Sequence, residues 1–247
     1  NDAQEVAFRH AAAHLKAAEM EPVIRHLANS AATVTRPSAH FDLVRVGIAS
    51  YGISPDPAIQ VPGIRPALTA RAKLAQVKRI EPGTGVSYGY RWVAESESTV
   101  GLVPVGYGDG IFRTASPGAE VGFNSARIPV RGTICMDQLV VELGEHSAKP
   151  GDMVMLFGPG DDGEPTAQDW ADAAGTIAYE IVTRIGERVP LVTTPVRERA
   201  TWTQSPWPAV SLPSSSSPTS VRCGCARRSS RASRPTKSSA LSAVTVK

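Results

Sequence analysis

No apolar run in this chain comes near the ~20 residues that cross a bilayer, so nothing in it reads as a membrane span. Cysteine is scarce. Cys135, Cys223 and Cys225 are the whole set, and two of them crowd together, so no disulfide framework is laid out; that fits a reducing cytoplasm. Acidic residues stop at Glu198, and the eight Lys and Arg beyond it have no counter-charge. Residues 1–198 hold 18 basic and 23 acidic side chains, a net of −5, which argues against a nucleic-acid surface on the body of the chain. A secretory leader is missing, and so is an initiator methionine: the chain opens NDAQEVAFRH, already polar and helix-like. The expectation is that Asn1 lies inside a larger protein and that the first part of a barrel is missing here. His10 and His14 stand four apart, but the glutamate of an HExxH site is absent; a solvated helix face accounts for them, and no metal is expected.

What is present is a globular composition, 42% hydrophobic and 20% charged. Residues 3–18, AQEVAFRHAAAHLKAA, have strong helix composition. EPVIRHLANSAA reads as a short apolar strand ending in a polar corner, and LVRVGIA in FDLVRVGIASYG as a parallel strand buried on both faces. Helix and strands at this spacing make residues 1–65 the closing βα segments of an α/β barrel. From 66 the texture changes. ALTARAKLAQVKRI alternates as a half-exposed strand does, and STVGLVPVGYG, RIPVRGTICMDQLVVEL and DMVMLFG continue the pattern with Gly and Pro punctuation. Residues 66–198 are therefore expected to be a mostly antiparallel β domain. It includes one short helix, TAQDWADAAG, with Thr166 as N-cap and Asp169 at the capping-box position. Residues 199–247 are rich in Ser, Pro and Arg and lack periodicity, as in a disordered basic tail. Such a tail could bind RNA or DNA. Plain disorder, or translation of a shifted GC-rich frame, explains the composition better.

Four clusters carry chemistry. In EPGTGVSYGYRW, Tyr88 hangs between glycines, either as an ordinary turn aromatic or as a phenol presented to a reacting atom; the GxGxxG spacing of a dinucleotide loop is not there. In HLANSAA, Asn29 and Ser30 could hold a phosphate or simply cap a turn. In VRVGIASYG, Arg45 is a charge in an apolar run, paired for structure or aimed at a ligand, and Gly47 and Ile48 offer close backbone. In RGTICMDQ and GYGDG, Met136 and Asp137, and Tyr107 and Asp109, sit at strand ends; Met136 is core filler or site.

Taken in order, HLANSAAT, FDLVRVGIASYG, GTGVSYG, VPVGYGDG, GTICMDQ and AYEIVTRIGERVP resemble the alanine racemases, from about residue 3 to Pro190. The resemblance implies an α/β barrel followed by a β domain, a head-to-tail homodimer, and pyridoxal 5'-phosphate (PLP) as cofactor. It implies interconversion of L- and D-alanine for peptidoglycan precursors in the cytoplasm. By position, Tyr88 matches the catalytic tyrosine, which that family lends to the partner's active site. Ser30, Gly47, Ile48 and Tyr179 match residues that hold the cofactor phosphate. Arg45 matches the arginine on the pyridine nitrogen, and Met136 the residue whose backbone N–H helps hold the substrate carboxylate. Tyr107 and Arg113 match residues near the mouth of the active-site channel. The family's cofactor lysine lies in a VKANAYGHG-like segment that this sequence does not contain.

The chemistry suits the residues. An amino-acid α-proton is too weakly acidic for a side chain to remove unless a cofactor supplies an electron sink. Racemisation needs one group on each face of the carbon, and tyrosine and lysine, with ordinary values of about 10 and about 10.4, are nearly matched. Arginine does not give up its proton, so the ring nitrogen it faces stays unprotonated and the sink is weakened. Two other functional classes are weighed against this: a non-catalytic β module that dimerises with a partner, and a basic-tailed nucleic-acid binder, the weakest of the three.

Overall fold

The alanine-rich opening forms helix α1, Asp2–Ala17, as its composition predicts. The structure is a computed structural model that describes residues 1–20 and 22–194, together with the backbone of 243–246. Helix α1 is tied to the chain 30 residues on. Glu5, buried, accepts from Arg9 Nη2 at 2.7 Å and from Ser38 Oγ at 3.0 Å, and Phe8 lies against Phe41 with ring centroids 4.7 Å apart.

The two apolar segments read as barrel strands do run side by side and parallel, but neither forms a regular strand. Only His26 and Leu43 make a β-bridge. Around it further bonds join the two segments: Asp42 N donates to Arg25 O at 3.0 Å, Arg45 N to Ala28 O at 2.8 Å, and Gly47 N to the Ser30 side-chain Oγ at 2.8 Å. Each segment has a neighbour on one side only, so the two-sided burial expected of LVRVGIA does not arise, and Val23 (96% exposed), Ile24, Leu43 and Val46 face outward. Helix α2, Ser30–Thr35, follows the first segment, with Asn29 Oδ1 accepting from Ala32 N. A 3₁₀ turn at Ile48–Tyr51 follows the second.

Beyond the linker the expected antiparallel domain is found. Its strands are β1 (Leu68–Lys73), β2 (Gln76–Ile80), β3 (Gly85–Val86), β4 (Trp92–Val93), β5 (Ser98–Val103), β6 (Glu120–Phe123), β7 (Ala126–Arg131), β8 (Leu139–Glu142), β9 (Met153–Phe157), β10 (Leu191–Thr193) and β11 (Ala243–Val246). Among the described residues they form a sheet in the order β10-β11-β1-β9-β6-β7-β8-β5-β2 and a separate β3–β4 ribbon. The pairs are antiparallel except β10 with β11. In β1 the alternation seen in the sequence becomes alternate burial, with Leu68, Ala70 and Ala72 inside. The expected disorder over 199–247 lies outside the described residues, save that the β-branched run AVTV forms β11 on the edge of β1.

Helix α3, Ala167–Ala174, starts on the predicted capping box: Asp169 N donates to Thr166 Oγ1 and Thr166 N to Asp169 Oδ2 at 2.7 Å. Its Trp170 is buried and donates from Nε1 to Leu156 O, pinning α3 on β9. Before it, the loop 158–165 closes on buried Glu164, whose two carboxylate oxygens accept from Gly160 N and Asp162 N, each at 2.9 Å. Helix α4, Ala178–Thr183, adds Ile181 and Val182 to the same core. Ile48, at the end of the second barrel segment, is also part of that core. Among the described residues, no helix is long and apolar enough to cross a membrane.

Candidate active site

Tyr88 sits on a 3₁₀ turn, Tyr88–Tyr90, that joins β3 to β4. The turn is tightly wound: Ser87 (φ 64°), Gly89 (φ 74°) and Tyr90 (φ 44°) all lie in the left-handed region, which favours glycine. Two of the three are not glycine, so something else must hold the conformation. Tyr90 lies over Gly85, its ring 2.5 Å from where a Cβ there would sit, and is itself 68% exposed. Tyr88 is 77% exposed.

Behind this turn lies the segment after β7. Ser87 Oγ donates to Thr133 O, Thr133 Oγ1 donates to Tyr88 O at 3.3 Å, and the Cys135 thiol lies 3.2 Å from the Ser87 hydroxyl. The same segment carries Met136, half exposed. It is fixed from its other side by Tyr107 N donating to Cys135 O at 3.0 Å and Gly108 N donating to Met136 O at 2.8 Å. Tyr88, Met136 and Tyr107 therefore stand on three loops joined by these bonds, and all three side chains are exposed. Arg188 closes the rear: its Nη2 lies 2.8 Å from Asp137 Oδ1 and 3.0 Å from Asp109 Oδ1. Asp137, and then Asp109, raise the guanidinium above its ordinary value. Asp109 is buried and also accepts from Gly106 N at 2.9 Å, so the GYGDG loop is held internally as well.

A second group forms at the carboxyl ends of the two barrel segments. Ser30 is buried, and its Oγ accepts from Gly47 N at 2.8 Å and from Ala49 N at 3.4 Å. Both contacts use the oxygen as acceptor, so the hydroxyl keeps its own proton to donate. Ile48 is buried beside it, while Gly47 and Arg45 are exposed. Arg45 Nη1 contacts His26 Nδ1 across the parallel pair. The charge is thus neither sunk in an apolar strand nor paired with a buried acid. A hydroxyl donor, exposed backbone and a guanidinium on one rim fit a group that carries both an anion and a ring acceptor, as PLP does. Tyr179, on α4, is partly exposed, and Arg113 begins a 3₁₀ turn, Arg113–Ala115. Among the described residues, no hydrogen bond or ion pair joins the Tyr88 group to the Ser30 group. Ser87, Thr133 and Arg188 carry no local motif, because their partners lie 45 to 79 positions away.

The fold and the two groups define a protein built from α/β-barrel segments, with a buried hydroxyl and an exposed guanidinium at their carboxyl ends, and a β domain that presents a phenol on a turn at positive φ. Residues 67–193 match the family model "Alanine racemase, C-terminal domain", and residues 1–55 match "Alanine racemase, N-terminal domain". The chain belongs to the alanine racemase family, a family of isomerases. It is 57% identical over 192 residues to an alanine racemase of Thermobifida fusca, covering 78% of this chain and 51% of that one. To that of Streptomyces coelicolor it is 55% identical over 193 residues, covering 77% and 49%. Among solved structures, alanine racemase from Streptomyces coelicolor matches with a TM-score of 0.74 at 55% identity, over 76% of this chain and 50% of that one. The enzyme from Bacillus anthracis with bound L-Ala-P matches with a TM-score of 0.74 at 36% identity, over 79% and 51%. The chain thus spans about half the length of the relatives it matches.

Proposed function

We propose that this chain forms the phosphate-holding end and the β domain of a cytoplasmic alanine racemase that works as a homodimer, interconverting L- and D-alanine for peptidoglycan precursors. The residues divide as residues 1–65 of a cofactor-binding barrel and 66–198 of a β domain. The observation that carries the reading is the outward presentation of Tyr88: a 77% exposed phenol on a turn held in the left-handed region, with no hydrogen bond or ion pair, among the described residues, to the Ser30 group of its own chain. A phenol so mounted is suited to the rim of a second copy.

PLP, when bound, supplies the electron sink that lets an α-proton leave. The Ser30 hydroxyl, the backbone at Gly47 and Ile48, and Tyr179 would hold its phosphate, and the Arg45 guanidinium would face its ring nitrogen. The Tyr88 Oη takes or returns the α-proton on one face of the substrate, in the manner of a positioned acid–base group. The Met136 backbone N–H holds the substrate carboxylate. The proton-moving group on the opposite face belongs to the part of the family's length that this chain does not span. Joining residues 1–198 behind the N-terminal half of the Thermobifida fusca relative tests the reading. The joined protein should bind PLP, and Tyr88→Phe should lower kcat about 10²- to 10⁴-fold with PLP binding retained. Turnover by Tyr88→Phe within twofold of the parent would remove Tyr88 from the reaction.

A further inference from the structure

We infer that Thr133, together with Ser87, is a positioning residue for Tyr88, locking the turn that presents the phenol; this rests on the catalytic reading of Tyr88 given above. The turn has little to hold it in its own backbone. Within it the described structure gives one hydrogen bond, Tyr90 N to Ser87 O, and that is long at 3.4 Å. Yet Ser87 and Tyr90, both with side chains, sit at positive φ, a backbone conformation strained for any residue with a Cβ. The compensation comes from across the chain. Ser87 Oγ donates to Thr133 O and Thr133 Oγ1 donates to Tyr88 O at 3.3 Å, so the two segments are joined by a hydroxyl-to-carbonyl bond in each direction, and the second pins the carbonyl of Tyr88 itself. Thr133 is 6% exposed, which keeps water from competing for these bonds. The backs of the two segments also touch closely: a Cβ on Gly132, at φ 69°, would lie 2.6 Å from Val86 O and 2.9 Å from Ser87 Cβ. The position two before Thr133 ends β7 and the position three after it is Met136, so one stretch of chain sets both the phenol and the proposed carboxylate holder. The hydroxyl of Thr133 acts on Tyr88 alone, because Cys135 and Met136 are fixed separately by the Tyr107 and Gly108 amides.

The test has two arms. In this chain, amide hydrogen exchange at Tyr90 reports closure of the turn. Thr133→Val keeps the shape and removes one bond, and should speed that exchange about 3- to 10-fold while leaving the amides of β5 and β8 unchanged; Thr133→Ser should restore the parent rate. In the joined racemase, Thr133→Val should lower kcat about tenfold with KM for alanine within twofold, and Thr133→Ser should recover most of it. Ser87→Ala should match Thr133→Val in both arms. Unchanged Tyr90 exchange in Thr133→Val, or acceleration spread evenly through the β domain, overturns the inference whatever the kinetics show. Faster Tyr90 exchange with unchanged kcat, in a protein where Tyr88→Phe is inactive, overturns it as well. Full activity in Tyr88→Phe is the separate signature that the catalytic reading has failed.

Discussion

Replacing Glu164 by glutamine changes no volume and removes one charge, yet it should weaken the β domain substantially. Glu164 is 2% exposed, and its two oxygens each take a backbone N–H of the loop it closes, from Gly160 and Asp162, at 2.9 Å. The pocket around it is tight, since a Cβ on Gly158 would lie 2.6 Å from Oε1 and one on Gly122 would lie 2.7 Å from the Glu164 Cβ. An amide offers one carbonyl oxygen. Its NH₂ must then face the second backbone N–H, donor against donor. A hydrogen bond to a charged group contributes about 1.5–3 kcal/mol, and a buried donor left without an acceptor costs about 1–3 kcal/mol. Glu164→Gln should therefore cost about 2–4 kcal/mol, and Glu164→Leu, which satisfies neither N–H, more than that. Against a typical domain stability of about 5–15 kcal/mol this is readily measured. Urea unfolding of the chain at pH 7, followed by circular dichroism, gives the difference from the shift in midpoint at constant slope. If Glu164→Gln unfolds within about 0.5 kcal/mol of the parent, the two oxygens are not needed as a pair and the reasoning fails.

Two further outcomes follow from the barrel segments and the linker. Hydrogen bonds from the Arg25 side chain, and then from its backbone N–H, hold the Asp42 carboxyl down to about 2 from an ordinary 3.8. A depressed carboxyl contributes stability that is present above its unfolded value and lost as pH falls through its folded value, so this part of the acid response falls between about pH 4 and pH 2. Asp42→Asn should flatten unfolding midpoints across that window, and an unaltered acid limb would contradict the assignment. Gly52 (φ 74°) and Gly63 (φ 81°) both lie in the left-handed region, but a Cβ on Gly52 would lie 1.6 Å from Arg65 O whereas one on Gly63 meets nothing within 4 Å. Gly63→Ala should cost about 1 kcal/mol from strain alone, with Gly52→Ala clearly worse; equal denaturation midpoints would show that the linker yields.

The parts of the fold legible in the sequence were those written in local pattern. The alternation of Leu68, Ala70 and Ala72 gave β1, the alanine-rich opening gave α1, and Thr166 with Asp169 gave the start of α3. The segments around Ile24 and Val46 were misread as regular strands because an apolar run records what a residue is suited to bury against, and here the second neighbour is not supplied. Tyr88 stood out through its glycines, but what fixes its turn did not. The turn's hold on its carbonyl lies in Thr133, 45 positions on. Arg45 looked costly in an apolar run; its exposed place beside His26 removes the cost.

Ile48 belongs to two worlds at once. Its position ends the barrel-type pairing next to Ser30, while its side chain is interior to the cluster that also takes Leu68, Val182 and Trp170. A hinge between barrel remnant and β domain would have to drag an aliphatic group through closely packed neighbours, so the rim and the body should melt in one step. Severing the connection near Gly63 would then yield two pieces that stay clasped, and a border drawn from family modules would not coincide with a border in folding.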